Sequence, residues 1–465
     1  MTENTSVSHY VGSVEQSEFK ESMLEKIRDE DERSLSEFLK QYHPADIAEV
    51  LEDLDLPAQK RILKLLSLEM AAEVLGEVDP YSEEALLKNL DHMILVDILA
   101  EMSQDDAIDI LGEMDPAQAQ KLLRMMHKDD SEALLKLLRY HPETAGGLMT
   151  SEYVAIPNNC TVEQALELVR TSGREAESIF YVYVIDEIGC LQGVVSIRSL
   201  VLADPKNMVR DTINPLLVAV RYDTDQEEVA SLVAKYNLLA LPVVDEDNHL
   251  LGMVTVDDVL DVMEEEATED MLRMAGVAQH EIGEMSSIKT AAHRLGWLFI
   301  TMIAGLLSAT VLDFFESTIH KVVALVLFLP VIIGLAGNAG IQSVTVVNRG
   351  MALGEVDKEE EVGIFMRELK AGLLLGVACA LIMGGIAWVW QGNSVDTPYL
   401  LGVIVGVSMF LTITMAVSMG TVAPLVLRRF GVDPAIASGP FVTTSIDIVG
   451  LVLYFSIATI CLSYL

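Results

Sequence analysis

Five long apolar stretches after residue 290 constrain the fold of this chain more than any other feature. They cover residues 295–315, 322–347, 371–390, 399–427 and 435–462. Each reaches the roughly 20 residues that a helix needs to cross the hydrocarbon core of a bilayer. The second and fourth stretches contain no charged residue, and they are too long for buried helices of a soluble protein. The pattern therefore predicts five transmembrane helices.

The distribution of Lys and Arg predicts the orientation of these helices. The N-terminal segment has neither the basic nor the apolar region of a signal peptide, so we expect the first half of the chain in the cytosol. Lys and Arg flank the predicted inner ends, whereas the outer loops contain only Lys321. The sequence predicts a multi-pass protein of the plasma or inner membrane, with its C-terminus outside.

Negative charge is concentrated in the first 290 residues, which carry −36 of the formal charge of −39. Such a field gathers cations and repels nucleic acid, so a cationic ligand is favoured over a nucleic-acid partner. The alternative is an acidic domain that is merely solvated. Walker and nucleophile-elbow motifs are missing, and the 4 Cys and 9 His lack metal-ligand spacing. These absences predict that the chain is not an enzyme.

Asp447 is the sharpest candidate for function. It follows twelve uncharged residues of the fifth stretch and precedes eighteen more. An ionised carboxylate at that depth costs several kcal/mol unless water, a cation or a partner faces it. The alternative is an Asp that is protonated or hydrogen-bonded to neighbouring Ser and Thr hydroxyls. On burial alone, Asp447 is compatible with a proton site as well as a metal-ion site.

Small and polar residues interrupt the second and fifth stretches. The second contains Gly337 and Asn338 within LAGNAGIQS, and the fifth contains Thr443 and Thr444. Irregular or polar surfaces at membrane depth are tolerated where they line a cavity or pack against another helix. The segments therefore predict either a lined path or a packing seam.

Two internal repeats organise the cytosolic half. Between residues 35 and 140 a short theme ending in Asp-Pro or a similar stop recurs, with Leu51, Leu75, Leu99 and Leu111 at equivalent positions. This period predicts short helices stacked into an α-superhelix. Its acidic face around Asp105 and Asp109 is typical of a solvated surface when taken alone.

The second repeat has an offset of 59 residues, between VIDEIGCLQGVVSIRSLV from 184 and VVDEDNHLLGMVTVDDVL from 243. Each copy predicts a β-α-β-β-α module, and the pair resembles two cystathionine β-synthase-type (CBS) domains. Members of that family dimerise and bind adenine nucleotides through Thr or Ser followed three residues later by Asp. The second copy keeps this pattern in Thr255 and Asp258, whereas the first has Ser196 and Ser199, so ATP is a secondary expectation.

An acidic connector, DDVLDVMEEEATED from 257 to 270, joins these modules to the first apolar stretch. Like charges at helical spacing destabilise a helix unless cations neutralise them. A divalent ion could therefore control how the connector packs. The alternative is a solvated linker.

The order of parts, with GNAGIQS in the second stretch and GVDPA and TTSID around the fifth, resembles the MgtE family of magnesium transporters over nearly the whole chain. The resemblance implies a homodimeric, lipid-embedded magnesium channel that serves uptake and homeostasis. It also implies that cytosolic magnesium closes the pore by bridging the superhelical domain, the CBS pair and a connecting "plug" helix. Permeability to other divalent cations is left open.

The family pattern also implies site residues. Those of the ion path are Asp447, Asn338, Gly337, Thr443 and Thr444. The regulatory ligands are Glu73, Asp105, Asp109, Gly147, Glu227, Asp258, Asp261, Glu266, Glu269, Asp270 and Asp433. Two departures are Asn237, where family members can have an Asp ligand, and Ile341, where a polar residue is frequent.

The expected fold is multi-domain: an α-helical superhelix, an α/β tandem CBS pair, a connecting helix and an all-α five-helix transmembrane domain. The expected bounds are a disordered N-terminus (1–20), the acidic superhelix (21–145), CBS domains (146–205 and 206–263), the connecting helix (264–290) and the membrane domain (291–465). Two other functions stay open. One is a proton- or sodium-coupled carrier, and the other is a membrane-tethered divalent-ion or nucleotide sensor that transports nothing.

Overall fold

The computed structural model describes residues 13–28, 32–174, 176–213, 218–277, 287–352, 356, 361–390, 397–434 and 440–461. The chain divides into two compact units, Met1–Val262 and Met263–Leu465. The predicted disordered segment 1–20 is too long, because a helix begins at Ser13; residues 1–12 lie outside the described residues.

Short helices form the N-terminal part of the first unit, as the repeat predicts. They are α1 (Ser13–Arg28), α2 (Glu32–Leu39), α3 (Pro44–Glu52), α4 (Leu56–Leu65), α5 (Leu68–Gly76), α6 (Pro80–Leu87), α7 (His92–Glu101), α8 (Gln104–Glu113), α9 (Pro116–Met125), α10 (Lys128–Leu137) and α11 (Ala145–Leu148). The Asp-Pro stops begin helices: the Asp115 carboxylate caps α9 by accepting from the Ala117 amide at 2.9 Å. The four repeated leucines are at most 3% exposed, which confirms them as core positions.

Two three-stranded sheets follow, each with one parallel and one antiparallel pairing. The first contains β1 (Ala155–Pro157), β2 (Tyr181–Ile185) and β3 (Leu191–Ser196), with α12 (Val162–Ser172), α13 (Ile197–Leu202) and a 3-10 turn (Val209–Asp211). The second contains β4 (Val220–Arg221), β5 (Ala240–Val244) and β6 (Leu250–Thr255), with α14 (Gln226–Tyr236). Register shifts fall at equivalent places, after Val184 and after Val243. The structure therefore confirms the duplicated module.

The connector is part of one continuous helix, α15 (Val256–Ala275), which begins inside the second module. The expected separate connecting helix over 264–290 therefore starts earlier, and its residues 278–286 lie outside the described residues. Helix α15 crosses the boundary between the two units, so it links them covalently.

Five helices of the second unit are long and apolar enough to cross a membrane. They are α16 (Ser287–Phe314), α18 (Ala324–Ala352), α19 (Glu361–Trp390), α20 (Pro398–Arg429) and α21 (Pro440–Cys461), with the short α17 (Glu316–Lys321) after α16. Helices α16 and α19 begin earlier than the apolar stretches predict. Their first turns are helical but carry charged residues, which hydropathy alone does not assign to a membrane helix. Predicted span residues 435–439 and 462 lie outside the described residues.

Small residues bring three of these helices together. A Cβ atom added to Gly420 of α20 would overlap the carbonyl oxygen of Gly340 on α18. One added to Gly340 would overlap the Ile446 side chain of α21. Close backbone approach through small residues is how membrane helices gain packing energy in the absence of a hydrophobic driving force. The GNAG segment is thus a packing seam on one side of α18.

Candidate ion path and regulatory sites

Asp447 is half-buried on α21, next to the residues through which this helix packs against α18 and α20. Ile446 is fully buried against Gly340, and Gly450 approaches Thr412 of α20, where an added Cβ would lie 3.0 Å from Thr412 Cγ2. Among the residues that the structure describes, none donates a hydrogen bond to the Asp447 carboxylate. The nearby Ser445 hydroxyl donates instead to the Phe441 carbonyl at 2.7 Å. The hydrogen-bonded alternative for Asp447 therefore loses its support.

Helix α18 has exposed polar side chains that do not pack against the described part of the chain. Asn338, Gln342 and Thr345 are exposed, whereas the opposite residues Ala336 and Val344 are fully buried. The exposed residues recur at i, i+4 and i+7, so they form one stripe. Polar side chains on a membrane helix are rarely left facing lipid. This side of α18 therefore needs water or a second protein surface.

The other residues predicted for the ion path lie near Asp447 on α21 or near Asn338 on α18. Gly337 is buried, yet its Cβ direction points into open space. Thr443 and Thr444 are half-buried on α21, and the Thr444 hydroxyl donates to the Phe441 carbonyl at 3.2 Å. Among the described residues no hydrogen bond joins Asp447 to Asn338. The departure Ile341 is exposed on α18, next to the polar stripe.

A second group of predicted residues meets in the second unit, between α15 and the residues that precede α21. Arg273 of α15 forms ion pairs with Glu269 and with Asp433, which lies shortly before α21. Burial raises the pKa of Asp270, and the charges of Asp433 and Glu266 raise it further, while Arg273 opposes the shift. The structure thus brings four predicted ligands together around an arginine that sequence reasoning missed.

Carboxylates from three modules of the first unit are close enough to perturb one another: Asp105 is buried, Asp258 half-buried and Glu177 exposed. Asp105 comes from α8 of the superhelix, Glu177 from the loop after α12, and Asp258 from the start of α15. Partial desolvation raises the pKa of each, and like charge adds to it: desolvation, Asp105 and Asp258 together raise the pKa of Glu177 to about 9, and Asp105 further raises that of Asp258. The Thr255 hydroxyl donates to Asp258. Glu177 is a further residue that the sequence did not reveal.

Glu83 of α6 is buried beside a neighbouring group of acidic residues on α8. It is 7% exposed. Burial, followed by the charges of Glu113, Asp109 and Asp106, raises its pKa to about 8. The side-chain oxygen Oε1 of Glu83 is buried without a hydrogen-bond partner. A usable signal did exist: Glu83 falls at helical spacing from buried Leu86, Leu87 and Leu90, on the apolar side of α6.

The remaining predicted ligands lie on exposed surfaces or at backbone positions. Glu73, Glu227 and Asp261 are exposed on α5, α14 and α15. Gly147 is buried on α11, where the carbonyls of His141 and Pro142 leave no room for a side chain. Within the described ranges, no three His, Cys, Asp or Glu side chains form a ready-made metal cluster. The carboxylates are electrostatically coupled without being preassembled.

Asn237 has a structural explanation. It ends α14 in the left-handed conformation, with φ of 51°. Asn is well suited to that position, where most residues with a Cβ atom are strained. An Asp would supply a charge here, whereas Asn supplies only an amide, so any cation site at this helix end is weaker by one carboxylate.

Five apolar helices, a membrane-depth carboxylate and a large acidic unit with two CBS-like modules are the features of a multi-pass cation transporter. A family model described as a divalent cation transporter matches residues 329–457. Models of the MgtE intracellular N domain and of the CBS domain match residues 42–143, and 145–206 with 209–265. The chain belongs to the MgtE family of magnesium transporters.

Named relatives support this family assignment. The chain is 40% identical to the magnesium transporter MgtE of Thermus thermophilus, over 95% of this chain and 98% of the relative. It is 36% identical to that of Bacillus subtilis, over 93% and 95%. These relatives are named as transporters, which is not an enzymatic function.

Solved structures match the cytosolic unit. The soluble part of a magnesium transporter matches with a TM-score of 0.51 and 33% identity, covering 54% of this chain and 99% of that one. The cytosolic domain of the Mg2+ channel MgtE in complex with ATP matches with a TM-score of 0.51 and 43% identity, covering 52% and 99%.

Proposed function

We propose that this chain is a homodimeric magnesium channel of the plasma or inner membrane, which cytosolic Mg2+ closes. The observation that carries the proposal is Asp447, a carboxylate at membrane depth with no hydrogen-bond donor among the described residues. Mg2+ prefers oxygen ligands in octahedral geometry and sheds its water reluctantly. A carboxylate that contacts a still-hydrated ion is therefore sufficient to hold it, and binding remains weak enough for release.

The polar stripe of α18 supports a path between two copies of the chain. Asn338 and Gln342 offer oxygen atoms to the water shell of an ion, and a second copy would shield the stripe from lipid. A divalent ion between the two Asp447 carboxylates would also lower the electrostatic penalty of each. With five spans and cytosolic N-terminal domains, the C-terminus lies outside.

The carboxylates of the cytosolic unit support gating by population shift. Asp105, Glu177 and Asp258 come from three modules, and their raised pKa values report mutual repulsion and poor solvation. Divalent ions that neutralise them favour the arrangement in which the modules are packed together. The change reaches the membrane unit along α15, where the acidic group around Asp270 and Asp433 takes further Mg2+.

ATP is a secondary modulator in this proposal. Thr255 and Asp258 are the pair that resembles a nucleotide half-site, and a relative's cytosolic domain is known in complex with ATP. Because Asp258 belongs to both groups, we expect nucleotide and Mg2+ to influence each other's binding there.

The test is Mg2+ influx into vesicles that contain purified protein. We expect Asp447→Asn to lower influx at least about tenfold, because it removes the charge and keeps the shape of the side chain. Asp313→Asn is the matched control, since Asp313 is an exposed acid near the end of α16; it should leave influx unchanged. Unchanged influx in a folded Asp447→Asn protein would refute the pore assignment. Influx that follows an imposed pH gradient would favour a proton-coupled carrier instead.

A further inference from the structure

Cys190 and His249 occupy equivalent positions in the two CBS modules, 59 residues apart, and the fold places them opposite each other. They form an isolated antiparallel bridge between the turns that precede β3 and β6. The Leu191 amide donates to the Asn248 carbonyl at 2.9 Å, and the Leu250 amide donates to the Gly189 carbonyl at 3.2 Å. This pattern makes them a non-hydrogen-bonded pair, the register in which opposing side chains approach most closely.

The His249 ring is held in a defined orientation. Its Nδ1 lies 2.9 Å from Asp245 Oδ2, and its backbone amide donates to Asp245 Oδ1 at 2.8 Å. A carboxylate oxygen that lies this close acts as the acceptor, which favours the tautomer with the proton on Nδ1. The second nitrogen, Nε2, then keeps its lone pair. A carboxylate that orients a histidine in this way is the usual outer partner of a metal-binding imidazole.

The Cys190 thiol lies in acidic surroundings. Its sulfur is 3.5 Å from the Asp247 carbonyl oxygen. Partial desolvation raises the pKa of the thiol, and Asp186, Asp245 and Asp247 raise it further. The same carboxylates attract a divalent cation, which would displace the proton and stabilise the thiolate.

We propose that Cys190 and His249 bind one divalent transition metal ion of the zinc and cobalt class, with water completing the coordination. A thiolate and an imidazole select such ions, whereas Mg2+ prefers oxygen ligands. Binding would clamp the turns of the two CBS modules together and release one proton from the thiol. The site is independent of the proposed magnesium channel, since it shares no residue with the ion path or with the regulatory carboxylates.

No local spacing of Cys and His in the sequence indicates this pair. The signal lies in the repeat itself: aligning the two copies at their offset of 59 residues superposes Cys190 on His249. Equivalent positions of duplicated modules that pair about a pseudo-twofold axis meet each other, so the alignment is also a contact prediction.

The test is a Co2+ titration of the full-length protein in detergent, with millimolar Mg2+ present. We expect one Co2+ per chain and the near-ultraviolet absorption band that reports a thiolate–Co2+ bond. The band should disappear in Cys190→Ser and persist in Cys160→Ala, the matched control at the other cysteine of the cytosolic unit. His249→Asn should weaken binding strongly, and Asp245→Asn by about 10- to 100-fold.

Proton release adds a readout that misfolding would not mimic. If one thiol proton is displaced, the apparent affinity for Co2+ should rise about tenfold per pH unit below the thiol pKa. A band that survives in Cys190→Ser would overturn the proposal. A band that forms only when the millimolar Mg2+ is left out would overturn it as well. Neither result would touch the assignment of Asp447.

Discussion

Replacing Glu83 by Gln should stabilise the metal-free superhelix at neutral pH, and by more as the pH rises. Glu83 is buried among acidic neighbours, and its pKa is raised from 4.5 to about 8. A group that binds its proton more tightly in the folded state stabilises the fold at low pH. That contribution is lost as the pH rises from the unfolded value toward 8. Gln has no proton to lose, so the substitution removes this dependence.

The size of the effect follows from the pKa. Inside this window one such group changes the free energy of unfolding by about 1.4 kcal/mol per pH unit. Between pH 6 and pH 7.5, Glu83 should therefore destabilise the superhelix by about 2 kcal/mol in the wild-type protein, and the Gln variant should be spared that loss. Mg2+ should flatten the wild-type slope, because a cation then replaces the proton.

The assay is amide hydrogen exchange of residues in α6 and α8, with chelator and with Mg2+, since local opening energies are defined there even in a multidomain protein. The matched control is Glu69→Gln, an exposed glutamate on α5 of the same superhelix; it should follow the wild type at every pH. Equal pH slopes in wild type and Glu83→Gln would refute the reasoning.

Two further substitutions test the membrane unit. Gly420→Ala should abolish Mg2+ influx or folding, because the new methyl group overlaps the Gly340 carbonyl and overpacking costs about 1–3 kcal/mol. Gly385→Ala is the control and should leave influx unchanged, since nothing lies within 4 Å of its added Cβ atom. Equal influx from both variants would contradict the packing seam. Arg273→Ala should lower the Mg2+ concentration that half-inhibits influx by about fivefold, since it removes a competing cation beside Asp433 at a partly exposed site. Arg273→Lys keeps the charge and should shift the half-inhibitory concentration little. A higher half-inhibitory concentration for Arg273→Ala would contradict this interpretation.

The membrane helices were the most predictable part of the fold, because hydrocarbon demands about 20 apolar residues whatever the tertiary context. Their ends were not. Helix α19 begins at Glu361 rather than at 371, since an ion pair between its first residue and α20 supports the charged first turns: the buried Glu361 accepts through Oε2 from Nη2 of the exposed Arg429 at 2.5 Å. Pairing of distant charges leaves no mark in local hydropathy.

The carboxylates predicted to be regulatory divide in the same way. Asp105 and Asp258 were predicted from family motifs, and the structure brings their modules together. Glu177 was missed because it lies in a loop, and only the packing of two other modules brings Asp105 and Asp258 near it. Arg273 was missed because a single cation in an acidic connector is ordinary in sequence, and only the fold places it beside Asp433. Local pattern reveals which residues are acidic, whereas tertiary structure decides which of them repel.

The measurement that tests the central claim most directly is single-channel current from purified protein in a planar bilayer, with Mg2+ as the permeant cation. The proposal predicts discrete current steps that disappear as Mg2+ is raised on the side that bears the cytosolic unit, and that persist when it is raised on the other side. Mg2+ flux without current steps and driven by a pH gradient would contradict a channel. Steps indifferent to Mg2+ on the cytosolic side would contradict the gate.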